Sequence, residues 1–204
     1  MRAAYFWPIY GEDNEIVFPY AASRAHRQVQ TSLGNTFKGP LLSDGYEAYA
    51  AYARNNSEVT HAECRSHCPR HFEHAQQVEP VAVAEPLALI ALLYRHEQTL
   101  REQQLEGEQK LAYRTQHSEP IVQTLWRWCH DQCQRVGLLP SNPLSKALQY
   151  ARARQASLQV FLSNPAVPID THHLERALRV IPLGATGCSA GPSSVRNRSA
   201  SCTA

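Results

Sequence analysis

No apolar run in this sequence approaches the roughly 20 residues that a membrane-spanning helix needs. The opening stretch MRAAYFWPIYGEDNE turns charged too early for a secretory leader. An excess of one charge is lacking as well. Twenty Lys and Arg against 18 Asp and Glu leave a net charge of +2, so bulk electrostatics neither announce nor exclude a nucleic-acid partner. A disulfide-like cysteine pattern is also missing. Of six cysteines, Cys64, Cys68, Cys129 and Cys133 stand in regular-looking segments, and Cys188 and Cys202 in an irregular tail. Reduced thiols and a cytoplasmic location are therefore expected.

A hydrophobic fraction of 43% over 204 residues supplies a core for one domain, or for one domain with an insertion. AAYFWPIY and EIVFPY are aromatic and β-branched runs around GEDN, which predicts a hairpin turning at Gly11 to Asn14, with Pro8 and Pro19 at edges or bulges. A polar helix is expected from Ser23 to Leu33. Lys38-Gly39-Pro40 then breaks the chain before a short strand at Leu41-Leu42. A helix from Tyr46 to about Arg54, a strand in VTHAECRSH and a helix opening at Pro69 follow. From Val81 the pattern turns helical, with one long amphipathic helix through LALIALLYRHEQTLREQQLEGEQKLAYR. Further helices are expected around IVQTLWRWCHDQC and SKALQYARARQASLQVFL.

Two carboxylates stand out. Asp44 ends the Leu41-Leu42 strand where Gly45 turns the chain, and Glu175 lies in the first turns of a helix in PIDTHHLERALRVIPLG. Such a pair can converge on divalent metal ions. The plain alternative is a turn former and a solvated helix residue.

The ordered motifs SDGYEAY, C-x-x-H at Cys64–His67, SxP at Ser118–Pro120, W-x-W at Trp126–Trp128, LPSNPLSKALQYA and ID-x-x-x-x-ER-x-LR resemble the catalytic part of bacterial DDE transposases of the insertion sequence 66 family, from about Tyr5 to Gly184. The resemblance implies an α/β, partial ribonuclease-H-like fold interrupted by an all-helical insertion. The expected divisions are 1–78 as the partial core, 79–165 as the insertion, 166–184 as the final core helix, and 185–204 as a disordered tail. It implies Asp44 and Glu175 as catalytic residues and Mg²⁺ ligands, DNA as partner, and Arg176 and Arg179 at phosphates. For the two arginines, exposed helix residues are the equal alternative.

The family's first Asp lies on a strand ahead of the hairpin, outside this chain, and Asp13 in the turn is no substitute. The chain is therefore expected to be inactive alone and to bind Mg²⁺ weakly. His172 departs from the family, which usually has Asn there. After Gly184 the family has an aromatic, apolar run like NWLFCWTEL, where this chain has ATGCSAGPSS. Codons for the latter can be chosen that spell NWLFCWTEL two bases later, so the tail resembles that segment read out of frame.

Other features are read more plainly. His61, Cys64, His67, Cys68, His71 and His74 lie close together, but without the paired C-x₂-C spacing of zinc sites, and a structural junction is expected. Trp126 and Trp128 are expected in the core. Arg152 to Gln155 are expected on a solvated face. Three functions stay open: a transposase remnant, a non-catalytic protein that binds and inhibits an intact transposase, and a chain that never folds stably because exposed edges favour aggregation.

Overall fold

Two prolines divide the first hairpin. The computed structural model describes residues 5–11, 15–178 and 200–202. In it β1 (Tyr5–Phe6) pairs antiparallel with β4 (Tyr20–Ala21), and β2 (Ile9–Gly11) with β3 (Ile16–Val17). Pro8 and Pro19 sit at the breaks and lack the N–H that a continuous ladder needs. Trp7 N still donates to Pro19 O at 2.9 Å, and Gly11 N donates to Glu15 O at 2.8 Å across the turn. Asp13 lies outside the described residues.

The polar helix begins later than its sequence suggests, as α1 (Arg27–Leu33). Then come β5 (Gly39–Ser43), α2 (Glu47–Arg54) and β6 (Val59–Glu63). β5 and β6 pair in parallel from Gly39↔Val59 to Ser43↔Glu63. A parallel pair needs a crossover, which α2 provides. Leu41 and Leu42 are buried, as expected of a strand covered on both faces. The core around Leu41 includes Trp7, Ile9, Val29, Phe37, Tyr49 and Tyr52.

Part of the tail is described. Ala200–Cys202 forms a strand, β7, parallel to β5 and antiparallel to β2. The five-stranded sheet thus runs β3-β2-β7-β5-β6. These three residues find backbone partners on both neighbouring strands. The rest of 185–204 lies outside the described residues.

The helical middle comprises α3 (His67–Ala75), α4 (Pro80–Glu102), α5 (Gly107–Tyr113), a π-helical turn at Arg114–Ser118, α6 (Glu119–Cys133), α7 (Pro143–Ala153) and α8 (Gln155–Ser163). The single long helix expected from Val81 is broken. Gln104 and Gly107 take positive φ values of 53° and 51°, which end α4 and start α5 separately. Cys68, Phe72, Val83, Ile90, Leu125 and Trp128 share one core, and Trp126 packs at its margin.

α9 (His172–Leu178) follows. The chain divides into two compact units, one of Met1–Cys64 with Asp170–Ala204 and one of Arg65–Ile169. The helical unit thus starts ahead of residue 79, because α3 contributes Cys68, Phe72 and Ala75 to the helical core. The fold is mixed α/β and mostly helical. No helix among the described residues is long and apolar enough to cross a membrane.

Candidate functional site

Asp44 is held by a turn built from its own neighbours. Gly45 has φ 89°, a conformation that any side chain would strain. Tyr46 N donates to Asp44 Oδ1 at 3.0 Å, and Gly45 N donates to Ser43 Oγ at 3.3 Å. These Asx- and Ser-type turns fix the end of β5. Ser43 is fully buried, and its Oγ also shares a hydrogen bond with His61 Nε2 at 2.9 Å. That bond crosses from β5 to β6, so the turn carrying Asp44 is tied to the neighbouring strand.

The same end of the sheet receives α9. Cys64 N donates to Ser43 O at 2.7 Å, just beyond the last ladder pair. The buried Cys64 Sγ accepts from both Thr171 N and Thr171 Oγ1 at 3.3 Å. Thr171 is fully buried, and its carbonyl accepts from Glu175 N at 3.0 Å. Asp170 closes the helix start, with Oδ1 accepting from His172 N and Oδ2 lying 2.9 Å from His172 Nδ1. His173 meets Tyr10 of β2 edge-on at 4.9 Å, and burial pushes its pKa down. The elements carrying Asp44 and Glu175 therefore meet through Ser43, Cys64 and Thr171.

Both carboxylates are half-buried, while Arg176 is exposed. Arg179 lies outside the described residues. A third carboxylate went unremarked in the sequence. Glu63, opposite Ser43 in the parallel ladder, is only 9% exposed. Its place at the end of a strand beside Asp44 follows from register, for which VTHAE holds no local signal. Thr171 was equally invisible, since a threonine before a helix normally reads as a cap.

Mg²⁺ takes oxygen ligands in near-octahedral geometry. Asp44 and Glu175 have the right chemistry, but Asp44 Oδ1 is already engaged in the turn. Among the described residues no three His, Cys, Asp or Glu side chains form a metal-holding group. The described donors thus do not by themselves fit a two-ion centre.

The cysteine and histidine cluster is dispersed in role. His61 bonds Ser43, and Cys64 bonds Thr171. In the helical unit, His71 stacks on Tyr150 at 3.9 Å. The Cys68 thiol is pushed up to about 11 by burial, opposed by the nearby Arg65 charge. Nearby in the same core, burial pushes Cys129 up to about 12. Neither thiol has the depressed pKa of a reactive cysteine.

The helical unit also buries an ion pair. Arg114, fully buried in the π-helical turn, grips Glu97 with Nε to Oε1 at 2.8 Å and Nη2 to Oε2 at 2.7 Å. Its Nη1 donates to the carbonyls of Phe161, Asn164 and Val167 at 2.5, 3.3 and 3.1 Å. One guanidinium thus satisfies a buried carboxylate and the carbonyl end of α8.

Three proteins of Sinorhizobium fredii (strain NBRC 101917 / NGR234) are similar in sequence. Uncharacterized protein y4jD is 28% identical over 171 residues, 80% of this chain and 32% of that protein. Uncharacterized proteins y4qI and y4hP are each 28% identical, over 70% and 72% of this chain and 27% and 29% of their own lengths. The chain thus spans about a third of the length of the curated relatives it matches. No solved structure matches it. Residues 1–189 match the family described as Transposase IS66 family, and the chain belongs to that family.

Proposed function

We propose that this chain is a portion of a DNA transposase, in which the first unit is a partial ribonuclease-H-like core and Asp44 and Glu175 are two of the carboxylates that hold Mg²⁺. The observation that carries the reading is family membership over residues 1–189. The hydrogen-bonded path from Ser43 through Cys64 to Thr171 supports it, since it binds the start of α9 to the end of β5. Exposed Arg176, together with Arg179 in the same sequence motif, contacts DNA phosphates in this reading. The helical unit is the insertion that separates the two carboxylates in sequence.

Phosphoryl transfer in such enzymes relies on two metal ions shared among carboxylates. Asp44 and Glu175 alone are too few for that, and Asp44 Oδ1 is already engaged in its turn, so in this reading the chain alone binds Mg²⁺ weakly and does not cleave or join DNA. Mn²⁺ titration followed by electron paramagnetic resonance tests the ligand assignment. Weak binding is expected in the native chain and loss of it in both Asp44→Asn and Glu175→Gln. Binding unchanged in both variants would remove the assignment. Divalent-metal-dependent strand transfer by the purified chain would overturn the claim of inactivity.

In a second reading the chain binds an intact transposase of its family and inhibits it. Excess chain added to a transposition assay would then lower the yield. An unchanged yield would eliminate this reading.

A further inference from the structure

The five-stranded sheet is continuous only through its central member. β2 is flanked by β3 and β7, and β5 by β6 and β7, so β2 and β5 do not pair with each other. Register is defined on both sides. Ala200 faces Gly11 and Leu41, Ser201 faces Tyr10 and Leu42, and Cys202 faces Ile9 and Ser43. Leu41, Leu42 and Ser43 are each no more than 2% exposed. Backbone groups on that side of β5 lie where water would be a poor substitute for a strand.

We infer that the gap between β2 and β5 is a strand-acceptor slot, which residues 200–202 of this chain occupy and so join the β2–β3 hairpin to the β5–β6 pair. The occupant is recognised through its backbone. Alanine, serine and cysteine bring none of the β-branched or aromatic bulk that stabilises strands, and the segment is three residues long. Recognition by main-chain pairing is the logic of strand addition, in which ladder bonds supply the affinity. The slot therefore favours an extended segment without proline and holds a β-branched one more firmly than its present occupant. This inference stands apart from the transposase reading and does not depend on it.

Two substitutions in the full chain test it in opposite directions. Ser201→Pro removes an N–H at the centre of the strand and disrupts its pairing. Ser201→Val adds strand propensity without changing the chain length. Hydrogen exchange is read at residues 9–11 and 41–43, with α4 and α6 as internal controls in the other unit. Ser201→Pro should speed exchange at both places by roughly tenfold or more, as expected for loss of a local ladder, and Ser201→Val should slow it. A synthetic peptide of residues 196–204 carrying valine at 201, added to the Ser201→Pro chain, should restore slow exchange. If the proline variant loses protection in α4 and α6 as well, the valine variant decides. Exchange at 9–11 and 41–43 unchanged by Ser201→Val in that case, or by Ser201→Pro in a folded chain, would overturn the inference.

Discussion

Arg114 shows how much one residue can carry without advertising it. In the sequence it is an arginine ahead of Thr-Gln-His, indistinguishable from a solvated helix residue. In the fold it is fully buried against Glu97 and three carbonyls. Removing one partner of such a pair strands the other charge in a dry interior. Arg114→Met should therefore destabilise the protein by about 3–5 kcal/mol, and the double change with Glu97→Leu should cost much less. Chemical denaturation of the two variants gives the comparison, and equal losses would contradict it. Cysteine chemistry can be argued at the same scale. Cys68 and Cys129 are buried with raised pKa values of about 11 and about 12, whereas Cys133 is partly exposed. Iodoacetamide at mildly alkaline pH should label Cys133 in the native chain and reach Cys68 and Cys129 only after denaturation. Native labelling of Cys68 as fast as Cys133 would show that burial does not control these thiols.

Elements were legible where local chemistry is decisive. Asp-Gly at the end of β5, prolines in the first hairpin, and the amphipathic repeats of the helices each act within a few residues. The break between α4 and α5 was not legible. REQQLEGEQ is rich in good helix formers, and only its single glycine hints at a boundary. The structure places Gln104 and Gly107 at positive φ, and a Cβ at Gly107 would meet open space. Backbone preference alone should therefore set the effect of substitution. Gly107→Ala should destabilise by about 1–2 kcal/mol, while Gln104→Gly should be neutral or stabilise by up to about 1 kcal/mol. Thermal unfolding of the pair checks the opposite signs. If the helix were continuous, Gly107→Ala would stabilise it instead.

At the scale of the whole molecule, two cores with separate memberships explain the two compact units. Each unit also contains a histidine that resists protonation. Burial lowers the pKa of His173 in the first unit, with Asp170 opposing it, and that of His71 in the second, with His67, Arg154 and His74 adding to the effect. The sign follows from proton counting. Below the ordinary histidine value of 6.5 the unfolded chain takes up protons that the folded chain does not, so their contribution is full above that value and is lost as pH falls. The melting temperature should be lower at about pH 5.5 than at about pH 7.5. His173→Gln should flatten part of that slope. A profile identical to that of the native chain would assign the slope to other groups.

The sequence by itself determined the local grammar of this protein and its kinship. It placed Asp44 at a strand end and Glu175 in an early helical turn, and it marked a mixed α/β front and a helical middle. It also carried enough ordered motifs to point to the transposase family matched over residues 1–189. Tertiary structure decided what depends on partners distant along the chain. Thr171 reaches Cys64, Arg114 reaches Glu97 and the end of α8, and Ala200–Cys202 lies between β2 and β5. The physical reason is common to all three. Nothing local to a threonine, an arginine or an Ala-Ser-Cys segment fixes which distant partner it meets. Each takes its role from unsatisfied polar groups that other segments bury beside it.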